Sequence, residues 1–194
     1  MTTQYFEEEI FEKINYSQRP LAKGEYEYCR FINCDFSNAD LSGVKFAECE
    51  FLECNLSLAN LKNTSFRDVR FKNCKMLGLQ FEFCNEFGLS FSFENNVLNH
   101  TSFYQRWLKK TTFKHTQLHE VDFSECDLTS STFDDCDLMG ATFDKATLEK
   151  ADFRTAINYS IDPTNNRIKK AKFSLLGVVG LLDKFDISID LTLR

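Results

Sequence analysis

A large apolar residue stands at every fifth position from Tyr26 to Phe153, with one break. The first run is Tyr26, Phe31, Phe36, Leu41, Phe46, Phe51, Leu56, Leu61, Phe66, Phe71, Met76 and Phe81. The phase then slips by two residues. The second run is Phe93, Leu98, Phe103, Leu108, Phe113, Leu118, Phe123, Leu128, Phe133, Leu138, Phe143, Leu148 and Phe153. All 25 positions are apolar, whereas a chain that is 43% apolar fills about 11 of 25 by chance. A period of five is neither the roughly 3.6 of a helix nor the roughly 2.0 of a strand. It belongs to a repeat, and a repeat decides the fold before local propensity does.

Taking the large residue as the centre of each unit, the residue two before it is mostly small or uncharged. Examples are Cys29, Cys34, Ala39 and Val44 in the first run, and Thr111, Thr116, Val121 and Cys126 in the second. The other three positions are mostly polar. Each unit thus offers two inward and three outward side chains. It cannot bury its own apolar face, whereas stacked coils share one core. All eight cysteines fall in the inward small slot, counting Cys84 in the first phase. Free Cys serves there as a small hydrophobe. The chain has no C-x-x-C spacing. This many unpaired thiols point to a reducing, cytoplasmic setting.

Cys34-Asp-Phe-Ser-Asn-Ala39-Asp-Leu-Ser-Gly and Ala151-Asp-Phe-Arg-Thr resemble the pentapeptide-repeat proteins. The resemblance implies an all-β fold, a right-handed quadrilateral β-helix with one unit per side and twenty residues per coil. Stacking twenty apart agrees with Phe31, Phe51 and Phe71, with Cys34, Cys54 and Cys74, and with Phe93, Phe113, Phe133 and Phe153. Six to seven coils at about 4.8 Å give a rod on the order of 30 Å long.

The expected organisation is an N-terminal cap over 1–24, the β-helix over 25–153 with the slip at 82–92, a turn-rich stretch and last coil over 154–174, and a short C-terminal helix with tail over 175–194. Phe6, Phe11, Tyr16 and Leu21 keep the first phase, so the cap reads as a strand-like coil or as a short helix opened by acids. Leu175, Leu176, Val178, Val179, Leu181 and Leu182 fit one apolar helix face, although Gly177 and Gly180 weaken that helix. In several relatives such a helix makes a two-fold dimer. A homodimer through this face would also remove an exposed sheet edge.

The formal charge of −6 is unevenly spread. Glu120, Asp122, Glu125, Asp127, Asp134, Asp135, Asp137, Asp144, Glu149 and Asp152 face only Lys145 and Lys150 between 120 and 152, a local net of −8. Direct nucleic-acid binding wants a basic stripe, and this acidic stretch argues against it. It is either a solvated repeat surface or a surface for a basic partner. The second candidate surface is irregular. Phe91, Asn96 and Arg106 occupy slots meant for small residues, while Tyr104 and Trp107 fall in outward ones. Exposed aromatics beside Arg are typical interface anchors.

Chemistry is sparse. His115-x-x-x-His119 lacks the Glu of H-E-x-x-H. No nucleophile–base pairing or phosphate-binding glycine loop occurs. The chain reads as a non-enzyme without metal or cofactor. It shows no secretory signal and no apolar run of membrane-spanning length.

Within the repeat family, Phe31-Ile-Asn-Cys-Asp-Phe-Ser-Asn-Ala-Asp-Leu-Ser-Gly-Val-Lys-Phe46, with Cys49-Glu-Phe51 after it, resembles the opening coils of the Qnr and MfpA group. Those proteins are dimeric acidic rods shaped like B-form DNA that bind type II topoisomerases, chiefly DNA gyrase, and protect it from quinolones. The resemblance implies a DNA-mimicking topoisomerase binder. The alternative is a general protein–protein scaffold that grips its partner around Trp107. Qnr proteins carry projecting loops, whereas this chain has only the two-residue slip and in that respect looks like MfpA.

Overall fold

The computed structural model describes residues 4–190. Its strands are short and all parallel: β1 (Gln4–Glu7), β2 (Ile10–Glu12), β3 (Gly24–Glu27), β4 (Arg30–Ile32), β5 (Lys45–Ala47), β6 (Glu50–Leu52), β7 (Ser65–Arg67), β8 (Val69–Lys72), β9 (Phe91–Glu94), β10 (Thr112–Lys114) and β11 (Thr132–Asp134). One sheet runs β1-β3-β5-β7 and the other β2-β4-β6-β8-β9-β10-β11. Pairing joins residues twenty apart, as in Phe31 with Phe51, except across the slip, where Phe71 pairs with Phe93. Isolated bridges extend the same ladders along the remaining sides. The result is a right-handed four-sided solenoid.

Each side takes one centre per coil. Side 1 stacks Phe6, Tyr26, Phe46 and Phe66 and, beyond the slip, Leu108, Leu128 and Leu148. Side 2 stacks Phe11, Phe31, Phe51, Phe71, Phe93, Phe113, Phe133, Phe153 and Phe173. Side 3 runs from Tyr16 and Phe36 to Leu138, and side 4 from Leu21 and Leu41 to Phe143. Rings on side 2 lie nearly parallel at 4.6–5.5 Å between centroids. Eight steps along that side at about 4.8 Å give about 38 Å. The rod is longer than the repeat alone predicts, because both ends join the stack. Of the expected 1–24 cap, residues 4–24 take the strand option, β1 on β3 and β2 on β4.

Corners explain the period of five. The residue two after most centres is left-handed, among them Asn33, Asn38, Glu48, Leu58 and Lys110, with φ from 51° to 59°. That conformation suits Asn or Gly and strains other side chains, so the stack must hold it in place. The small inward slot has its own bond. Cys54 Sγ donates to the Phe31 carbonyl at 3.3 Å, Thr64 Oγ1 to Leu41 at 2.8 Å and Ser131 Oγ to Leu108 at 2.6 Å. Cys, Thr and Ser are therefore interchangeable in this slot, because each satisfies a buried carbonyl of the coil before.

Two asparagines complete the pattern. Asn96 Nδ2 donates to Phe71 O at 2.9 Å while its Oδ1 accepts from the Cys74 N–H at 2.7 Å. Asn166 repeats this with Phe143 and Ala146. Through Asn166 the 158–167 stretch, expected to break the pattern, continues the coil, with Ile157 bridging Asp137 and Arg167 bridging Thr147. Tyr159 is buried in place of the exposed Asn158.

The expected C-terminal helix is two 3-10 segments, Gly177–Leu181 and Asp183–Phe185. They lie against the last coil. A Cβ on Gly177 would overlap the Tyr159 hydroxyl, and one on Gly180 the Tyr159 carbonyl. The Ile161 N–H donates to Gly180 O at 2.9 Å. The glycines that weaken a helix are thus what lets this segment approach. Of the expected apolar face, Leu175 and Leu176 remain exposed and Val179, Leu181 and Leu182 are half-buried. Residues 191–194 of the expected tail lie outside the described residues.

Candidate functional site

Five of the ten acids sit just before a centre or at a corner on sides 3 and 4: Glu120, Asp122, Glu125, Asp137 and, one step beyond a centre, Asp144. Asp135 stands at the corner between sides 2 and 3. Asp127 and Glu149 lie on side 1, Asp134 and Asp152 on side 2. The acidic stretch therefore wraps the rod. The aspartates that precede a centre also build the turns, because their carboxylate accepts the backbone N–H two residues on. Asp122 takes Ser124 at 2.8 Å, Asp127 takes Thr129 at 3.1 Å, Asp137 takes Met139 at 3.2 Å and Asp152 takes Arg154 at 3.2 Å. These are local Asx turns.

Their charges are not equally free. Lys109 lies 3.1 Å from Asp127, Arg167 2.8 Å from Glu149, Arg154 2.8 Å from Asp152 and Lys145 3.7 Å from Asp144. Glu120, Asp135 and Asp137 instead meet histidines one coil back, His100, His115 and His119, at 3.2, 3.4 and 2.8 Å. Asp122, Glu125 and Asp134 form no ion pair among the described residues. Glu125 accepts from Gln105 Nε2 at 2.8 Å and from the Tyr104 hydroxyl at 3.3 Å. The hydrogen bond from Arg154 holds the Asp152 carboxyl down near about 2. Burial works against Asp137, but His119 and Asn158 outweigh it and keep its carboxyl below the usual range. Sides 3 and 4 thus keep an acidic surface opposed mainly by histidine.

The second surface surrounds the slip. Where a strand would follow β7 on side 1, the chain swings outward. The Asn85 and Ser90 N–H groups donate to Thr64 and Phe66 carbonyls at 2.9 and 3.0 Å, and Phe87 between them is 87% exposed. Among the described residues no backbone hydrogen bond joins this loop to the next coil. The N–H of Trp107, whose counterparts Asp127 and Thr147 donate to the coil before at 3.0 and 2.8 Å, has no such bond there. From the loop only the partly buried Leu89 packs against the core, and Phe91 fills the remaining space, its ring 5.2 Å from Phe81 and 5.0 Å from Phe93. This is why a bulky residue stands in a small slot.

Arg106 reaches inward beside the loop, 3.9 Å from Glu86. Its Nε and the Glu82 Oε2 are buried without a hydrogen-bond partner, and burial pushes the Glu82 carboxyl up. Lys62, Gln80, Glu82, Phe83, Glu86 and Arg106 line a groove of about 850 Å³. Tyr104 is half exposed, and Trp107 is 77% exposed. Of the three residues of this patch, only Arg106 lines the groove; Trp107 is exposed on side 1, and Tyr104 lies on side 4, where its hydroxyl donates to Glu125. Sequence reasoning misses the groove, with its unpaired polar atoms, and Phe87. The phase slip is the only signal that could have found them.

All eight cysteines are free and buried. Burial pushes the Cys49, Cys126 and Cys136 thiols up to about 12, so they stay protonated and unreactive at neutral pH. Among the described residues no group of His, Cys, Asp and Glu is placed to hold a metal, and no helix is long and apolar enough to cross a membrane.

The family model described as "Pentapeptide repeat region" matches residues 25–103 and 90–162. No curated protein matches the sequence. Among solved structures, a trypsin-treated form of QnrB1, a plasmid-mediated fluoroquinolone resistance protein, is similar at 22% identity and a TM-score of 0.48, over 96% of this chain and 100% of that one. HetL, a pentapeptide-repeat protein involved in heterocyst differentiation regulation in the cyanobacterium Nostoc, is similar at 15% identity and a TM-score of 0.49, over 88% of this chain and 86% of that one. Likenesses at this level carry no argument about partner or activity. The family match spans 25–162, more than half of the chain. The chain belongs to the pentapeptide-repeat family.

Proposed function

We propose that this protein is a non-catalytic acidic rod that mimics B-form DNA, occupies the cationic DNA groove of a type II topoisomerase, DNA gyrase, and inhibits it or shields it from quinolones. The observation that carries the reading is the acidic surface of sides 3 and 4. There Glu120, Asp122, Glu125 and Asp137 face solvent with no lysine or arginine partner. A groove built from Lys and Arg to hold phosphates attracts such a surface. A homodimer through Leu175, Leu176 and their neighbours would double the acidic length. The protein works in the reducing cytoplasm, as its protonated thiols suit.

The test is a gyrase supercoiling assay with and without ciprofloxacin. Inhibition at micromolar protein, or relief of the drug's block, is expected. Asp122→Asn, Glu125→Gln and Asp137→Asn together should abolish it, because Asn keeps the Asx acceptor and removes only the charge. An unchanged effect in that variant sinks the reading. The exposed Trp107 favours a second reading, a scaffold that grips an unrelated protein through Tyr104, Arg106 and Trp107. Trp107→Ala would then remove partner capture and the acidic variant would not.

A further inference from the structure

Folding sorts charge by side in a way that the linear order conceals. Beyond the slip, side 1 carries Arg106, Lys109 and Lys110 on one coil, Lys150 two coils on, and Arg167, Lys169 and Lys170 on the next. Two carboxylates, Asp127 and Glu149, oppose these seven cations, a net of +5. Sides 3 and 4 of the same coils carry Glu120, Asp122, Glu125, Asp137, Asp144 and Asp162 against Lys145, a net of −5. One face of the rod is therefore basic, and the opposite face and one adjacent face are acidic.

Lys109 and Arg167 are engaged by Asp127 and Glu149, and Arg106 is mostly buried beside Glu86. Lys110, Lys150, Lys169 and Lys170 are exposed and form no ion pair among the described residues. Three of them share one structural slot. Lys110, Lys150 and Lys170 occupy the left-handed corner after the side 1 centre, with φ of 59°, 60° and 61°, so their side chains leave the rod in one direction. The Lys150 N–H donates to Lys169 O at 3.0 Å, which fixes those coils as neighbours. Three coil steps from Lys110 to Lys170 span about 14 Å. One DNA strand carries a phosphate per about 3.4 Å of axis, so that span faces about four phosphates. Trp107 lies on the same coil and side, three residues before Lys110, in the parallel column that continues through Asp127 and Thr147 to Arg167. A line of cations beside an exposed ring is a stacking platform with an electrostatic track.

We propose that side 1 beyond the slip binds nucleic acid: the four free lysines neutralise a phosphate backbone and Trp107 stacks on an unpaired base. This goes beyond the topoisomerase reading and uses a different face of the rod. Fluorescence anisotropy of the full chain with a labelled single strand and a labelled duplex, each of about 20 nucleotides, tests it. Binding at low salt is expected, with a log–log salt slope of about −3 to −4 for four phosphates. Lys110→Glu, Lys150→Glu and Lys170→Glu together should weaken it at least about tenfold and flatten the slope. Trp107→Ala should weaken the single strand about fivefold or more while sparing the duplex.

Asp122→Asn with Glu125→Gln should leave nucleic-acid binding intact, which separates this test from the gyrase one. Circular dichroism melts establish that each variant is folded. Should the glutamate triple fail to fold, the Gln triple at the same positions replaces it. Absence of binding at low salt, equal binding by the folded triple variant, or competition by polyglutamate as strong as by DNA of equal charge would each overturn the proposal. The last of these would assign the lysines to an acidic protein.

Discussion

The coils before and after the loop solve the same packing problem with different residues. Before it, sides 1 and 2 are adjacent and both aromatic, and Phe46 and Phe51 meet edge to face at 5.2 Å. Beyond it, phenylalanines occupy opposite sides, as Phe113 and Phe123 do at 5.8 Å, with leucine between them. Side 1 carries four strands in the first half and only isolated bridges in the second. The difference follows the residue before the centre. Glu25, Lys45 and Ser65 leave side 1 extended, whereas Asp127 folds its carboxylate back onto the Thr129 N–H. Ion pairs change as well. In the first half Arg30 and Lys45 bond acids on the same side one coil away, at 3.3 and 2.6 Å. In the second, most of the free cations gather on side 1 and most of the acids elsewhere. A single repeat thus tolerates two core patterns and two charge layouts, and the loop is where they exchange.

The largest effect should come from removing a ring from either half. Phe51→Ala and Phe123→Ala each delete a fully buried side chain. Each should cost about 3–5 kcal/mol, read by urea denaturation. If the halves share one cooperative core, the two losses are alike and both transitions remain single. A biphasic curve for either variant would show that the loop divides the rod into two folding units.

Next in size is the asparagine that closes the ladder beside the loop. Asn96→Ala leaves the Cys74 N–H and the Phe71 carbonyl unsatisfied, each at about 1–3 kcal/mol. Asn96→Thr should recover part of this, because Thr101 and Thr64 already donate from the same slot at 3.0 and 2.8 Å. Equal losses for Ala and Thr would show that the slot rewards volume rather than hydrogen bonding. Gly180→Val sharpens the contrast at the far end. Its side chain collides with Tyr159, so the 3-10 segments should detach and become sensitive to protease, while Gly43→Ala, where a Cβ meets nothing within 4 Å, should cost only the strain of its φ of 71°.

Much of this fold is legible in the residue spacing. The period of five and the inward place of every cysteine follow from spacing, whereas the twenty-residue register is what the family resemblance implies and the ladders of Phe and Cys agree with it. What spacing conceals depends on which side a residue reaches. Lys110, Lys150 and Lys170 are forty and twenty residues apart and read as scattered; only the coil makes them one column. Phe91 reads as a misfit until the loop is seen to leave a space. Tyr159 replaces Asn158 as the buried residue because the last coil is closed by Gly177 and Gly180 rather than by another coil. Propensity against glycine in helices is a sound rule, but the shape of this segment is set by close approach.

The smallest expected effect concerns acid. Asp152 in the second half and Asp40 in the first both have carboxyls held near about 2, Asp152 chiefly by Arg154, Asp40 by Ser42 and Lys23. Their ordinary value is 3.8. A folded-state value below the unfolded one means that the native state keeps its carboxylate charged where the unfolded chain would take a proton. The stabilisation is fully present above about pH 4, shrinks as pH falls through the interval down to about 2, and is gone below it. Both sites are solvent-facing ion pairs, so each is worth only about 0.2–1 kcal/mol. Asp152→Asn and Asp40→Asn keep the turn acceptor, and each should flatten the fall of Tm between pH 4 and 2 by a similar small amount. A larger flattening for Asp152→Asn would mean that the second half, with its charges sorted by side, leans on its few Arg-bound carboxylates more than the first half does.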